Sequence, residues 1–334
     1  MQQPIPSAGR VVAITGASSG IGRATALLFA RDGYQVGLIA RGEPGLADVA
    51  REIERAGGRA AIATADVADA EALEQAAATI ERQLGRIDVW INDAGASFYA
   101  KFTEMSPEEF RRVTETTYFG AVNGTRIALQ RMMPRNRGSI VNIGSVAAYR
   151  GFPLQAPYCG AKFALRGFTE AVRSELVDAG SAVHLGIVHP PGVNTPFFAH
   201  AGARMQGVPK PPPPIYQPEV VAEAVKLVVE QRRRELVIGG GRGLVWMNRI
   251  APGLLDWIAG KTGVPAQQAT DAGARQSRMP ALFSPPDGAS PVRGRWGGFE
   301  HSAQLWLSRN RGLVAGGAGL AVLALLAGRT ARRP

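Results

Sequence analysis

Residues 11–22 read VVAITGASSGIG, and a helical pattern of apolar residues follows from Ala24 to Arg31. The first four residues are a short apolar run rich in β-branched side chains, which predicts a strand. A strand, a glycine turn and a helix in this order are typical of a phosphate site, because glycines let the backbone approach a pyrophosphate and a helix N-terminus offers unpaired N–H groups. The glycine spacing differs from the common G-x-G-x-x-G, so a glycine turn without a ligand remains an alternative.

Strand-like runs and helical patterns continue to alternate as far as Ile238. The predicted strands are Val11–Ile14, Gln35–Ala40, Ala60–Ala65, Ile87–Ile91, Gly138–Gly144, Ala182–Val188 and Glu235–Ile238. This alternation predicts an α/β fold with a doubly wound parallel sheet. In such sheets ligands bind outside the carboxyl ends of the strands, which is where Gly16, Asp66, Asn92 and Ser145 fall.

Tyr158 and Lys162 stand four residues apart in a predicted helix from Pro157 to Asp178. Residues with this spacing share a helix face, so we expect the phenol and the ammonium in one cleft. An unperturbed tyrosine titrates near pH ~10, and a nearby positive charge lowers that pKa by stabilising the phenolate. Tyr158 is therefore a candidate general acid or base, although a Tyr-x-x-x-Lys pair also occurs on solvated helix faces.

The second predicted strand ends in Ala40-Arg41. A fold that binds NAD usually places an acid there to hold the ribose hydroxyls, whereas this chain has a small residue followed by a cation. Arg41 could hold the 2′-phosphate of NADP, so NADP(H) is the favoured cofactor and NAD(H) the alternative. An arginine that only faces solvent would give the same sequence.

The composition, with 46% hydrophobic residues, is that of a globular protein. The net charge is +11, but ten lysines and arginines against three acids lie from Lys261 onward, so the basicity belongs largely to the tail. No aromatic-interleaved basic stripe appears, which argues against a nucleic-acid partner. The single cysteine, Cys159, and four scattered histidines predict no disulfide framework and no metal site. We expect a reducing, cytoplasmic setting and no leader peptide.

Across about residues 10–260 the sequence resembles the short-chain dehydrogenase/reductase family. The motifs that carry the resemblance occur in the family's order and are Thr15-Gly16-x-x-x-Gly20-x-Gly22, Asp66-Val67, Asn92-x-Ala94-Gly95, Ser145, Tyr158-x-x-x-Lys162 and Pro191-Gly192-x-x-Thr195. The resemblance implies a Rossmann fold of about seven parallel strands and hydride transfer between a nicotinamide cofactor and an alcohol or carbonyl. It also implies a homo-oligomer.

The resemblance assigns a role to each matching position. Tyr158 is implied as the acid/base, Lys162 as the ligand of the nicotinamide ribose, and Ser145 as the residue that holds the substrate oxygen. The cofactor-binding residues implied or predicted are Gly16, Ser18, Ser19, Gly20, Ile21, Arg41, Asp66, Val67, Asn92, Gly95, Tyr158, Lys162, Gly192 and Thr195.

The chain departs from the family pattern at two positions. Thr117 stands where the family has a fourth catalytic residue, an asparagine, and we keep Thr117 in the predicted catalytic set because its hydroxyl can bond a water or a carbonyl. Asp93 replaces the usual asparagine of the Asn92 turn, and the sequence offers no account of it. The first departure leaves a second hypothesis open, that of a cofactor-binding sensor or scaffold with impaired catalysis.

Phe98, Phe152 and Phe197 follow the ends of motifs, as do Val146 and Phe198. These side chains, with Ser145, could line an apolar pocket, which suits a hydrophobic alcohol or ketone as substrate. Ordinary core packing would explain them equally well.

We expect three parts along the chain: a catalytic domain over residues 8–260, a flexible linker rich in Pro, Gly and Arg over 261–304, and a hydrophobic segment over 305–334. Gly312–Gly328 contains only Gly, Ala, Val and Leu, with arginines on both sides. As a helix it would span about 25 Å, and arginine stems could make up the difference from a hydrocarbon core of ~30 Å. The pattern predicts a C-terminal membrane anchor, with a buried helix in a dimer interface as the alternative.

Overall fold

The computed structural model describes residues 9–239, 241–271, 273, 280–286, 288 and 290–310. Its strands, in chain order, are β1 (Val11–Thr15), β2 (Gln35–Ala40), β3 (Ala60–Thr64), β4 (Ile87–Asn92), β5 (Phe98–Tyr99), β6 (Ser139–Ile143), β7 (His184–His189), β8 (Gly192–Val193), β9 (Gly202–Ala203), β10 (Val208–Pro209), β11 (Ile215–Tyr216), β12 (Glu235–Val237) and β13 (Gln268–Ala269).

Its α-helices, numbered in the same way, are α1 (Gly20–Arg31), α2 (Glu43–Arg55), α3 (Ala70–Leu84), α4 (Pro107–Thr114), α5 (Gly120–Met132), α6 (Ala156–Asp178), α7 (Phe197–His200), α8 (Pro218–Glu230), α9 (Gly241–Ile250), α10 (Pro252–Ala266) and α11 (Ala303–Arg309). A π-helical turn, Glu115–Phe119, joins α4 to α5.

Seven strands form one sheet in the order β12-β7-β6-β4-β1-β2-β3, and every neighbouring pair is parallel. Strand order reverses beside β1, which is the arrangement of a doubly wound sheet. The register aligns Thr15 with Asn92 and Asn92 with Asn142, so the ends of β1, β4 and β6 meet at one edge. The predicted doubly wound Rossmann fold is therefore confirmed.

Apolar side chains cover both faces of this sheet, as a parallel sheet requires. One cluster joins the strands to α1, α2 and α8 and includes Phe29, Leu46 and Val221. The other joins them to α3 and α5 and includes Ile80 and Ile127. The two clusters fix the sheet between helix layers, which holds the carboxyl ends of its strands in place.

The described residues of the predicted linker, 261–304, pack against the catalytic domain. The helix α10 extends to Ala266, and the backbone N–H of Trp296 donates to the Asn194 side chain over 2.9 Å. Beyond the linker, Leu305 is buried in a core cluster. The flexible linker that composition predicts stays a prediction. The domain boundaries themselves stay a prediction.

The predicted membrane anchor, 312–328, lies outside the described residues. In the parts of the chain that the structure describes, no helix is both long enough and apolar enough to cross a membrane. Helices α9 and α10 bury Leu255 but leave Trp246, Ile250 and Trp257 largely exposed.

Candidate active site

The glycine turn between β1 and α1 depends on close backbone approaches. Gly16 and Gly20 adopt φ values of +72° and +55°, a region that residues with a side chain rarely enter. A Cβ on Gly22 would lie 2.3 Å from the Gly16 carbonyl oxygen, and one on Gly20 would lie 3.1 Å from the Thr195 Cβ. These three positions of the turn therefore have no room for a side chain, and Gly16 and Gly20 line the cleft together with Thr195.

The Asn92 side chain is buried, forms hydrogen bonds with other buried side chains, and does not line the cleft. Its side-chain nitrogen donates to Asn142 Oδ1 over 2.8 Å and to Thr125 Oγ1 over 3.1 Å, and its oxygen accepts from Trp90 Nε1 over 2.7 Å. These contacts tie β4 to β6 and α5. The prediction that Asn92 contacts the cofactor is corrected: its amide satisfies buried partners, and Gly95, three residues on, lines the cleft.

Ser145, Tyr158 and Lys162 come together as predicted. Ser145 follows β6, and its side chain hydrogen-bonds the Tyr158 hydroxyl. Lys162 is buried, donates from Nζ to the Ile143 carbonyl over 2.6 Å, and lies with Nζ 5.6 Å from the centre of the Tyr158 ring. All three line one cleft with the glycine turn.

Burial, rather than Lys162, dominates the titration of Tyr158. Desolvation raises the pKa of Tyr158 well above its ordinary value, and the hydrogen bond from Ser145 opposes the rise. The expected lowering by the neighbouring ammonium is not found, because burial also lowers the pKa of Lys162, to about 8. Tyr158 is thus held as the neutral phenol in this site.

Asp93, which the sequence left without an account, connects the turn after β4 to helix α1. Its carboxylate accepts a hydrogen bond from the Gly22 N–H, in the first turn of α1, and interacts electrostatically with Lys162. Burial raises the pKa of Asp93, and both partners oppose that rise. In return, the charge of Asp93 raises the pKa of Lys162 against burial.

Thr117 points away from the cleft. It lies in the π-helical turn, and its hydroxyl donates to the Ala96 carbonyl and accepts from the Ala96 N–H, both over 3.0 Å. The side chain is buried and Thr116, not Thr117, lines the cleft. π-Helical turns are frequent at functional sites, and this one sets the path of the chain beside Gly95.

His189 at the end of β7 was not singled out from the sequence. It is fully buried, and its Nδ1 lies 3.3 Å from the backbone nitrogen of Ser145 and 3.0 Å from its carbonyl oxygen. On the other side, Nε2 lies 3.2 Å from Glu235, which also accepts from the Tyr149 hydroxyl. Gly144 allows this approach, since a Cβ there would lie 2.5 Å from Nδ1. A polar residue at the end of β7, directly before Pro190-Pro191-Gly192, was the sequence signal.

At the far end of the cleft, Arg41 and Arg112 approach each other. The Arg41 guanidinium donates to the carbonyls of Ala281 and Leu282, and Arg112 donates to Leu282 over 3.1 Å and pairs with Asp66. Burial lowers the pKa of Arg41, and Arg112 adds to that effect. For Asp66, burial is outweighed by Arg112 and the Ala68 N–H, which together lower its pKa.

Aromatic side chains also line the cleft. Phe152 and Phe197 line it as predicted, and the Phe197 ring centre lies 5.7 Å from that of Tyr158. Tyr99 joins them and was missed. Phe98 does not line the cleft; alternation along β5 turns it into a buried cluster with Leu282, so its prediction as a substrate contact is corrected.

One cleft thus brings together most of the predicted site. The predicted residues that line it are Gly16, Ser18, Ser19, Gly20, Ile21, Arg41, Asp66, Val67, Gly95, Ser145, Phe152, Tyr158, Lys162, Gly192, Thr195 and Phe197. The three predicted residues that do not are Asn92, Phe98 and Thr117.

The family model described as short chain dehydrogenase matches residues 10–206. A relative named uncharacterized oxidoreductase YxnA, from Bacillus subtilis, is 34% identical over 263 residues, which cover 78% of this chain and 74% of the relative. Dehydrogenase/reductase SDR family member 7B of Xenopus tropicalis is 31% identical, over 69% of this chain and 77% of its own length. The probable oxidoreductase EphD of Mycobacterium tuberculosis is 38% identical, but the match covers 59% of this chain and only 33% of EphD.

Two solved structures are similar to this one. An alcohol dehydrogenase of Thermococcus sibiricus, complexed with 5-hydroxy-NADP, has a TM-score of 0.59 and 28% identity over 69% of this chain and 95% of that one. A short-chain dehydrogenase/reductase of Burkholderia phymatum, in complex with NAD, has a TM-score of 0.68 over 75% of this chain and 96% of that one. At 23% identity the second likeness shows the fold alone.

Proposed function

Because the chain belongs to the short-chain dehydrogenase/reductase family and is an NAD(P)-dependent oxidoreductase, we propose that it interconverts a secondary alcohol and a ketone or aldehyde with NADP(H) as cofactor. The observation that carries the proposal is the hydrogen-bonded pair of Ser145 and Tyr158, with Lys162 beside it, in the cleft that also contains the glycine turn. The nicotinamide, when bound, supplies or accepts the hydride.

The residues of the chain bind the substrate oxygen and move its proton. The Ser145 hydroxyl orients the carbonyl or alcohol oxygen, and the Tyr158 hydroxyl donates a proton to it in reduction or accepts one in oxidation. The raised pKa of Tyr158 keeps this proton available at neutral pH. The charged Lys162 ammonium lies beside the Tyr158 ring, where it can bind a ribose hydroxyl and stabilise the phenolate that forms.

The choice of NADP over NAD rests on the far end of the cleft. The Arg41 guanidinium lines the cleft, and Arg112 lies beside it, since both donate to the Leu282 carbonyl. Asp66, which also lines the cleft, already pairs with Arg112. A phosphate is a strong partner for a guanidinium, whereas a ribose with free hydroxyls gains little from it.

The substrate end of the cleft favours an apolar molecule. Phe152, Phe197 and Tyr99 lie around the reactive hydroxyls, and they offer hydrophobic area with few polar partners. A hydrophobic alcohol or ketone is the substrate class that fits. Thr117, which bonds only Ala96 in the structure, is proposed as a positioning residue rather than a catalytic one.

A panel of aliphatic and aromatic ketones and alcohols, followed by nicotinamide absorbance with each cofactor, tests the activity. Arg41→Ala tests the cofactor choice: the ratio of the NAD to the NADP dissociation constant should fall about ten- to a hundredfold, for a lost charged contact of roughly 1.5–3 kcal/mol. Wild-type protein that binds NAD as tightly as NADP, or an unchanged ratio in the variant, would reject NADP as the cofactor.

A further inference from the structure

A segment that follows the catalytic domain lies across the cofactor end of the cleft. We call the described residues 280–286, 288, 290 and 291 the C-terminal strap. Six of them line the same cleft as the glycine turn, and these are Ala281, Leu282, Pro285, Pro286, Gly288 and Ser290. The strap also crosses the turn between β2 and α2, where a Cβ on Gly42 would lie 3.3 Å from the Pro285 Cβ.

The strap accepts hydrogen bonds from donors that the proposed function gives to the cofactor. The Gly20 N–H, at the start of α1, donates to the Pro291 carbonyl over 3.2 Å. Arg41 donates to Ala281 and Leu282, and Arg112 donates to Leu282 as well. The pyrophosphate is assigned to the glycine turn and the 2′-phosphate to Arg41. In this structure, donors at both phosphate sites bond strap carbonyls instead.

A single N–H group cannot form full-strength hydrogen bonds to a strap carbonyl and to a phosphate oxygen at the same time. Gly20 offers one hydrogen, and two of the five N–H groups of Arg41, one on each terminal nitrogen, donate to strap carbonyls. A phosphate carries charge and forms stronger bonds to a guanidinium than a neutral carbonyl does. The strap must therefore leave the Gly20 N–H before a phosphate can take it, and at Arg41 the exchange of neutral carbonyls for a charged phosphate is favourable.

The anchors that hold the strap down are few and lie mainly at its ends. Leu282 is buried in a cluster with Phe98, Ala100 and Val113. The Ala281 N–H donates to the His200 carbonyl over 2.8 Å, and the Ser290 carbonyl accepts from Arg23 over 3.0 Å. Phe283, in contrast, is largely exposed.

We propose that the C-terminal strap is an autoinhibitory element that competes with NADP for Gly20, Arg41 and Arg112 and is displaced when the cofactor binds. This inference rests on the proposed function, because it takes the phosphate sites from it. The affinity measured for NADP is then the intrinsic affinity multiplied by the fraction of molecules whose strap is open. Arg112, which shares the Leu282 carbonyl with Arg41, becomes a second ligand for the 2′-phosphate once the strap has left.

Loosening the strap in the full-length protein tests the competition. Leu282→Ala removes the apolar anchor but none of the donors, so NADP and the half-cofactor 2′,5′-ADP should both bind more tightly, with a dissociation constant lower by roughly tenfold. Phe283→Ala is the matched control one residue away, and it should leave both constants unchanged. An unchanged or weaker affinity in Leu282→Ala would overturn the competition.

Hydrogen–deuterium exchange of the wild-type chain gives a readout that needs no variant. Saturating NADP should speed exchange at the Ala281 amide and its neighbours, since the strap loses its bond to His200. Slower exchange there would make the strap a lid over bound cofactor and would reject the proposal.

Different results would reject the proposed function and the proposed competition by the strap. Wild-type protein that turns over ketones with NADP but shows no strap response keeps the function and loses the strap. A preference for NAD rejects the cofactor choice, and the strap is then judged with NAD, because the pyrophosphate site at Gly20 serves both cofactors. Absence of nicotinamide cofactor binding rejects both.

Discussion

Lys162 lies between two opposing influences, and their balance sets the pH range in which it is charged. Burial lowers its pKa to about 8, and the nearby Asp93 carboxylate works in the other direction. The proposed roles of Lys162, binding a ribose hydroxyl and stabilising the phenolate of Tyr158, both need the charged form. Its charge is therefore present below about pH 8 and is lost as the pH rises through that value.

Asp93→Asn removes the charge that supports Lys162 and leaves a side chain of the same shape. The pKa of Lys162 should fall further, so the alkaline limb of the profile of kcat/KM against pH should move to lower pH. The measurement is turnover of one ketone from pH 6 to pH 10 for both proteins. An alkaline limb that stays in place or moves upward would show that Asp93 does not control Lys162.

Residue identities at the strand ends could be predicted, but the direction of some side chains could not. Ser145 lies in the cleft because the strand ends of a parallel sheet meet at one edge, and Tyr158 and Lys162 share a face of α6 because they stand four residues apart. Asn92 and Phe98 turn into buried clusters instead of the cleft. Those clusters depend on partners distant in sequence, Asn142 and Leu282, and no local pattern reports such partners.

At the scale of elements, the π-helical turn between α4 and α5 is held to the turn after β4 by one hydroxyl. Thr117 is buried and bonds both the N–H and the carbonyl of Ala96, which is half-buried. This explains how the chain can lack the family's asparagine and still keep the elements around the cleft in place.

Thr117→Val keeps the shape of the side chain and removes both hydrogen bonds, so the half-buried backbone groups of Ala96 lose their partner. We expect the free energy of unfolding to fall by about 1–3 kcal/mol, measured by chemical denaturation. Thr117→Ser retains the hydroxyl and serves as the control, with a smaller loss. Equal stability of the valine variant and the wild type would remove the positioning role.

The alternation of strands and helices was predictable at this scale because apolar periodicity is a local property. The packed course of the described residues between 280 and 310 was not. The segment is held by single contacts, such as Trp296 to Asn194 and Ser290 to Arg23, which join residues far apart in the chain. The proline-rich and glycine-rich composition of the segment does not predict these contacts.

For the whole molecule, three of the four histidines make folding sensitive to acid. Burial lowers the pKa of His184 and His200 to about 4 and that of His189 to about 3. Unfolded histidines titrate near 6.5, so between about pH 6.5 and pH 4 the unfolded chain binds more protons than the folded one. Asp93 and Glu235, whose pKa values burial raises, act in the opposite sense, but they are two groups against three.

The free energy of unfolding should therefore fall as the pH is lowered from about 6.5 towards 4. Urea denaturation at half-unit pH steps measures it. His184→Gln removes one of the three groups and should flatten the slope in that window. Stability that is constant or rises on acidification would contradict the burial of these imidazoles.

The oligomeric state stays a prediction from the family resemblance. On the helix that carries Tyr158, Phe163 and Val177 are exposed, and Phe119 is exposed at the end of the neighbouring π-helical turn. An apolar face of this kind is what a symmetric pairing of two chains through that helix would cover. Sedimentation of the wild type measures it directly.

The most direct test of the account is the turnover of Tyr158→Phe on one ketone that the wild type reduces, with the NADP dissociation constant measured on the same sample. The substitution removes the ionisable hydroxyl and leaves the ring in its place against Phe197. The account predicts that turnover falls by about 10²-fold or more while the dissociation constant stays within error of the wild type. A Tyr158→Phe protein that turns over at the wild-type rate would contradict the assignment of Tyr158 as the acid/base.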